Sequence, residues 1–159
     1  LHEDEQYEKA TRVYTDFARL YPGDHRAEYA FYQSIKCSQA GILSVDRDQT
    51  KTHDTLELAE QFLAKPHFAH YRPLVQNICE QCYANLIHHE LVVCDYYLKN
   101  QLYNPVDKRL AYVKEKLSPH APLLQRDILS CEIRLAQLQN NSSLAAQKLD
   151  QLAAIPPTV

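Results

Sequence analysis

Methionine and tryptophan are missing from the 159 residues, and glycine occurs only at Gly23 and Gly41. A sheet protein needs turn glycines far more often, so their scarcity favours long helices joined by short connections. The 17 basic residues form no run and the net charge is −3, which leaves no basic stripe as a nucleic-acid footprint. No apolar stretch approaches the ~20 residues of a membrane span, and no signal peptide is visible. Because the chain starts at Leu1 and holds no methionine, it reads as an internal piece of a longer protein, with any targeting signal or lipid site upstream. Five cysteines are an odd number, which excludes a complete disulfide framework within one chain. At 45% hydrophobic and 23% charged residues the chain is globular rather than disordered.

What is present is helix after helix. Tyr7, Ala10, Tyr14, Phe17, Ala18 and Tyr21 recur at spacings of three and four and predict a helix over 4–21. "YPGD" stops it, with Asp24 placed to cap the next. A second helix, 25–43, puts Ala27, Ala30, Phe31 and Ser34 on one face, small enough for close approach by a neighbour. After the polar connection "SVDRDQT" a third, 49–65, carries Leu56, Ala59, Phe62 and Leu63. The fourth and longest spans 71–101, with Pro73 tolerated in its first turn. The fifth, 104–117, carries Val106, Leu110, Val113 and Leu117, and the sixth, 122–139, Leu124, Ile128, Cys131, Leu135 and Leu138. A seventh, 143–154, carries Leu144, Leu149 and Leu152. "FARLYP", "QFLAKP" and "EKLSP" end the first, third and fifth segments. A helix, a proline stop and a second helix, repeated, define stacked hairpins. The expected fold is all-α, a tetratricopeptide-like α-solenoid forming a single domain, with hairpins at 4–43, 49–101 and 104–139 and a capping helix at 143–154. Terminal repeats depend on neighbours, so exposed apolar surface is expected over residues 1–20.

The stretch "QNICEQCYANLIHHELVVCDYY" resembles a metal or redox site. On a helix, however, Val75, Cys79, Cys82, Leu86, Val93 and Tyr97 share one face, with Tyr83, Glu90 and Cys94 at its flank. His89 stands two turns from Cys82, about 10 Å along the axis, and His88 points the other way. Zinc needs ligands at ~2.0–2.3 Å, so these cannot share one. A redox pair belongs at a helix N-terminus after a strand, whereas this pair lies mid-helix. The cluster reads as packing, with no metal and no catalytic residue. The other histidines, such as His25, His67, His70 and His120, fall mostly at connections and read as solvated. Glu90 lies near the middle of the wide apolar face, where a carboxylate needs a partner. Arg109, one hairpin turn later, is expected within salt-bridge distance, as a hairpin lock or a partner-binding contact.

With these residues in place the chain resembles the BamD (ComL) family of outer-membrane β-barrel assembly lipoproteins, over about residues 5–153. Asp46, Arg47 and Asp48 match the family's Asp-Arg-Asp connection. Leu86, Glu90, Val93, Tyr96 and Tyr97 match its long helix, Tyr103 the turn and Arg109 the following helix. "AKP" stands where Tyr-Pro is usual, Asn104-Pro105 replaces small residues, and Cys94 replaces an alanine. The resemblance implies a scaffold without cofactor or covalent chemistry, lipid-anchored upstream on the periplasmic face of the outer membrane. It implies docking of C-terminal repeats on the POTRA domains of a BamA-like partner, contact with other assembly lipoproteins and with unfolded outer-membrane proteins, and no nucleic acid. Glu90, Tyr96, Tyr97, Tyr103 and Arg109 become the candidate partner-binding or hairpin-locking residues. A peptide- or protein-binding adaptor of another pathway, cytoplasmic in location, is the alternative on the same architecture. The enzyme reading would rest on Cys79, Cys82 and the histidines.

Overall fold

The computed structural model describes residues 2–156, with side chains from residue 5. Seven α-helices follow one another: α1 (His2–Leu20), α2 (Ala27–Ala40), α3 (Thr50–Leu63), α4 (Arg72–Lys99), α5 (Tyr103–Tyr112), α6 (Gln125–Leu138) and α7 (Ser142–Ala154). There is no strand among the described residues, and the architecture is the all-α, tetratricopeptide-like one. Among the described residues no helix is long and apolar enough to cross a membrane. The helix expected at 104–117 is α-wound to Tyr112 and π-wound over Val113–Leu117. The start expected at 122 is a 3₁₀ turn, Pro122–Leu124, ahead of α6.

By compactness the chain divides into Leu1–Cys82 and Tyr83–Val159, the division falling inside α4. The first unit is built on an aromatic triad. Phe31 of α2, Phe62 of α3 and Phe68 of the α3–α4 connection pack with ring centroids 5.0–6.3 Å apart. All three are buried, together with Ile35, Ala59 and Val75. The small face of α2 (Ala27, Ala30, Ser34) is buried, as its residue sizes predict, and the Ser38 and Thr55 hydroxyls bond at 2.7 Å between α2 and α3. On α1, by contrast, Val13 and Leu20 are 67% and 65% exposed, the apolar surface expected there.

The second unit is closed by Leu86, Ile87, Cys94 and Leu98 of α4, Val106 and Leu110 of α5, Val113 and Leu117 of the π turn, and Ile128, Leu129, Ile133 and Ala136 of α6. Three expected faces differ from those observed. Along α4 the buried line runs through Val75, Cys79, Cys82 and Leu86, then through Ile87, Cys94 and Leu98. That is a turn of roughly 100° around the axis. Cys94 is therefore core, while Val93 and Tyr97 are half-buried. The cause is length: 28 residues extend about 42 Å, twice the 14 residues of α2 or α3, so different neighbours cover the two halves. On α6 the core line passes through Ile128, Leu129 and Ile133, leaving Leu138 41% exposed. On α7 Leu144 and Leu149 are exposed and Ala145 is the buried residue.

Two helix ends show what the lack of glycine costs. Past α4, Gln101 adopts φ 58° while Leu102 N–H donates to Tyr97 O (2.9 Å) and Gln101 N–H to Leu98 O (3.1 Å). Past α6, Asn140 adopts φ 56° with the same pattern onto Ala136 and Gln137. Both are left-handed helix caps of the kind glycine fills without strain. Asparagine tolerates this region and glutamine does so less well. Gln101→Gly is expected to stabilise the fold by about 0.5–1 kcal/mol, read as a higher urea midpoint, with Asn140→Gly giving less.

Candidate functional site

The candidate residues lie on α4, α5 and the turn between them. Arg109 Nη1 stands 2.6 Å from Glu90 Oε2, a charge-assisted bond from α5 to α4. Glu90 occupies the sector of α4 between its two buried lines, which is why its side chain is only 15% exposed. Arg109 also lies over the Tyr97 ring, 5.8 Å from its centroid. Its guanidinium is held more firmly protonated than usual, first by the Glu90 hydrogen bond, against a smaller opposing effect of burial. Tyr97 meets Tyr96 edge-on at 5.7 Å, and Tyr96 is 63% exposed. Glu90, Arg109, Tyr97 and Tyr96 thus form one connected group. Tyr103, half-buried at the first residue of α5, makes no hydrogen bond, ion pair or ring contact with it.

The Cys-x-x-Cys pair is core. Cys79 and Cys82 are 7% and 1% exposed, and burial first of all pushes their thiols up to about 11 and about 12. Both are thiols, not thiolates, at neutral pH, and neither is a ready nucleophile or ligand. His88 stands 43% exposed, 3.7 Å from Asp127. Among the described residues no group of three or more His, Cys, Asp or Glu is placed to hold a metal ion.

Of the connection Asp46-Arg47-Asp48, Asp48 Oδ1 accepts Thr50 N–H at 3.0 Å at the entry to α3. Asp46 is held below its ordinary value, chiefly by a hydrogen bond from Ser44. Asp24 acts as an Asx turn ahead of α2: its Oδ1 accepts Arg26 N–H at 2.8 Å and its carboxylate pairs with the same guanidinium. These bonds hold the Asp24 carboxyl far below the usual carboxylate range.

Three structural keystones escaped the residue patterns. Gln49 is 6% exposed, and its amide donates to Ser44 O and Arg47 O while its oxygen accepts from Thr52 Oγ1. Arg72 donates three bonds to backbone carbonyls around the end of α3. Glu132 of α6 accepts from Lys114 at 2.8 Å and Lys148 at 2.9 Å, bridging the π turn and α7. Glu132 had a readable signal, since it sits three residues after Leu129 and four before Ala136 on the buried face. Burial pushes its carboxyl up, but the two lysine hydrogen bonds outweigh that and leave it below its ordinary 4.5. A lowered folded-state pKa gives stability that is present above 4.5 and is lost as pH falls through the folded value. Stability of the wild-type chain is therefore expected to fall below about pH 4.5, and Glu132→Gln to flatten that slope in urea titrations across pH 3–6.

Helices paired by short connections, with α5 ion-paired to α4, define a helical-repeat protein. The chain belongs to the YfiO family of outer membrane lipoproteins, whose model matches residues 1–130. That match includes α1 to α6 in part or whole and every candidate residue, and stops short of α7. The chain is also similar to the outer membrane protein assembly factor BamD of Caulobacter vibrioides, 30% identical over 95 residues. The matched segment is 60% of this chain and spans about a third (31%) of that relative's length.

Proposed function

We propose that this chain is a non-enzymatic docking scaffold of the outer-membrane β-barrel protein assembly machinery, working at the periplasmic face of the outer membrane. The observation that carries the reading is Tyr96, two-thirds exposed beside an ion-paired α4–α5 hairpin within the family-matched residues. Exposed aromatics on rigid supports are the usual energetic centres of protein interfaces, because they bring large area at little entropy cost. The division of labour follows from exposure. Glu90 and Arg109 lock α5 onto α4, Tyr97 fills the corner under the guanidinium, and Tyr96 with the exposed Val92 and Leu102 offers apolar area outward. Tyr103 supports the turn. The partner class is a POTRA-type periplasmic domain of a BamA-like barrel protein, with other assembly lipoproteins and unfolded outer-membrane chains at other surfaces. Attachment to the membrane is through an upstream lipid. The continuity of α4 across both units supports reading the chain as one helical-repeat domain.

The test is titration of the purified chain with the partner's periplasmic domains. Saturable binding is expected, weakened by Tyr96→Ala; a folded chain that shows none would leave the adaptor of another pathway as the better reading.

A further inference from the structure

In the first unit α2 packs against both α1 and α3, and the space left between those two is an open groove of about 820 Å³. One wall is the first half of α1, with Glu8 and Arg12, and the other is α3. The last turn of α2 and the connection after it close the bottom, where Leu43 is 42% exposed. From Thr50 to Gln61 the α3 wall runs about 17 Å, the span of about five residues of extended chain. The walls are tied across the groove by Lys51, whose Nζ stands 2.6 Å from Glu8 Oε1 while its stem passes over Gly41. The groove is therefore preformed. We propose that it binds an extended peptide segment of a partner protein, carrying lysine or arginine on either side of an apolar side chain.

The occupant follows from the charge and the apolar area of the lining. Glu8, Asp48, Asp54 and Glu57 stand against Arg12 and Lys51, four carboxylates to two cations. Lys51 is engaged twice within the walls, by Glu8 and by Asp54 at 3.9 Å. Glu57, one turn beyond Asp54, accepts from the neutral Gln61 amide at 3.1 Å and so keeps its full charge. Both Asp54 and Glu57 are exposed, and Leu58 beside them faces Leu43 across the same cavity. A cationic segment with one apolar side chain answers both features, its charges meeting the α3 carboxylates and its apolar group covering the two leucines. An acidic segment would meet repulsion, and a wholly apolar one would take the carboxylates out of water without partners. Because Lys51 holds the walls in place, the ordering cost of binding falls on the peptide alone. This surface lies apart from α4 and α5, and the inference does not rest on docking there.

The experiment is fluorescence anisotropy of the full chain with two labelled peptides of about eight residues, long enough to overhang the groove. One carries lysines on both sides of a central leucine; the other has glutamates in their place. The lysine peptide is expected to bind saturably, and at least about tenfold more tightly than the glutamate peptide at low salt, the difference shrinking as salt rises. Asp54→Lys combined with Glu57→Lys is expected to weaken it at least about tenfold, Leu43→Ser by a smaller factor, and Tyr96→Ala to leave it unchanged. The wild-type comparison of the two peptides decides the matter even where a variant folds poorly. No saturation, equal affinity for the two peptides, or wild-type affinity in a folded Asp54→Lys, Glu57→Lys variant would each overturn the proposal. So would loss of peptide binding in Tyr96→Ala, or a second copy in the groove, seen as a dimer that the double variant dissolves. Each of these results leaves the titration with periplasmic domains as a separate test of the α4–α5 surface.

Discussion

Tyr96→Ala is expected to weaken binding of the partner's periplasmic domains roughly ten- to hundredfold while leaving the melting midpoint essentially unchanged. The two halves of that result have one cause. At 63% exposure the Tyr96 ring contributes little to the core, so its removal exposes little new apolar surface on folding. At an interface the same ring would be desolvated, and truncating such an aromatic typically costs about 2 kcal/mol or more. Arg109→Ala should show the opposite balance. It leaves Glu90, 15% exposed, without its cation and removes the guanidinium from Tyr97. The expected cost is about 1–2 kcal/mol of stability, kept modest because Arg109 is 35% exposed and water screens the pair. Binding should then weaken only in proportion to the loosening of the hairpin. Affinity and midpoint measured together on both variants separate a contact from a support.

Arg72→Ala carries the largest expected effect on folding, a loss of about 2–4 kcal/mol. Its Nε donates to Phe68 O at 3.1 Å, Nη1 to Leu63 O at 3.0 Å and Nη2 to Lys65 O at 2.7 Å. Leu63 is the last residue of α3, where carbonyls have no partner further along the helix, and Pro66 brings no N–H to the turn. One planar guanidinium therefore satisfies a connection that the backbone cannot satisfy alone. The same connection delivers Phe68 into the aromatic core, and Tyr71 is held from the other side by Glu28 Oε1 at 2.9 Å and by Tyr32, stacked at 4.6 Å. Loosening the connection thus loosens the core. Lysine presents a point charge in place of a fork, so Arg72→Lys should recover less than half of the loss. For a chain of this size the midpoint should fall by roughly 5–12 °C.

Much of the architecture was legible because its punctuation is proline and polar residues. "YPGD", "AKP" and "SPHAP" end helices for steric reasons that no tertiary contact overrides, and the seven segments fall within a few residues of their expected bounds. The buried run Val106, Leu110, Val113 and Leu117 was legible too, since α5 is short and one face meets the core. Faces were harder where a helix has more than one neighbour. The line of α4 turns partway along, which moved Cys94 into the core and Tyr97 to its margin. On α7 Leu144 and Leu149 face outward, and Ala145 is the residue buried where α7 meets α6. Glu90 was readable by its sector on α4, and Glu132 would have been by the same argument. Arg72 and Gln49 were not, because their partners are backbone carbonyls, whose positions exist only once the chain has turned.

The most direct measurement is amide hydrogen exchange on the full chain, alone and bound to the partner's periplasmic domains. Docking through the locked hairpin predicts slowed exchange concentrated in residues 90–112, around the end of α4 and in α5, with the α2–α3 hairpin unchanged. Protection confined to α1–α3, or none at all in a complex that forms, would contradict it.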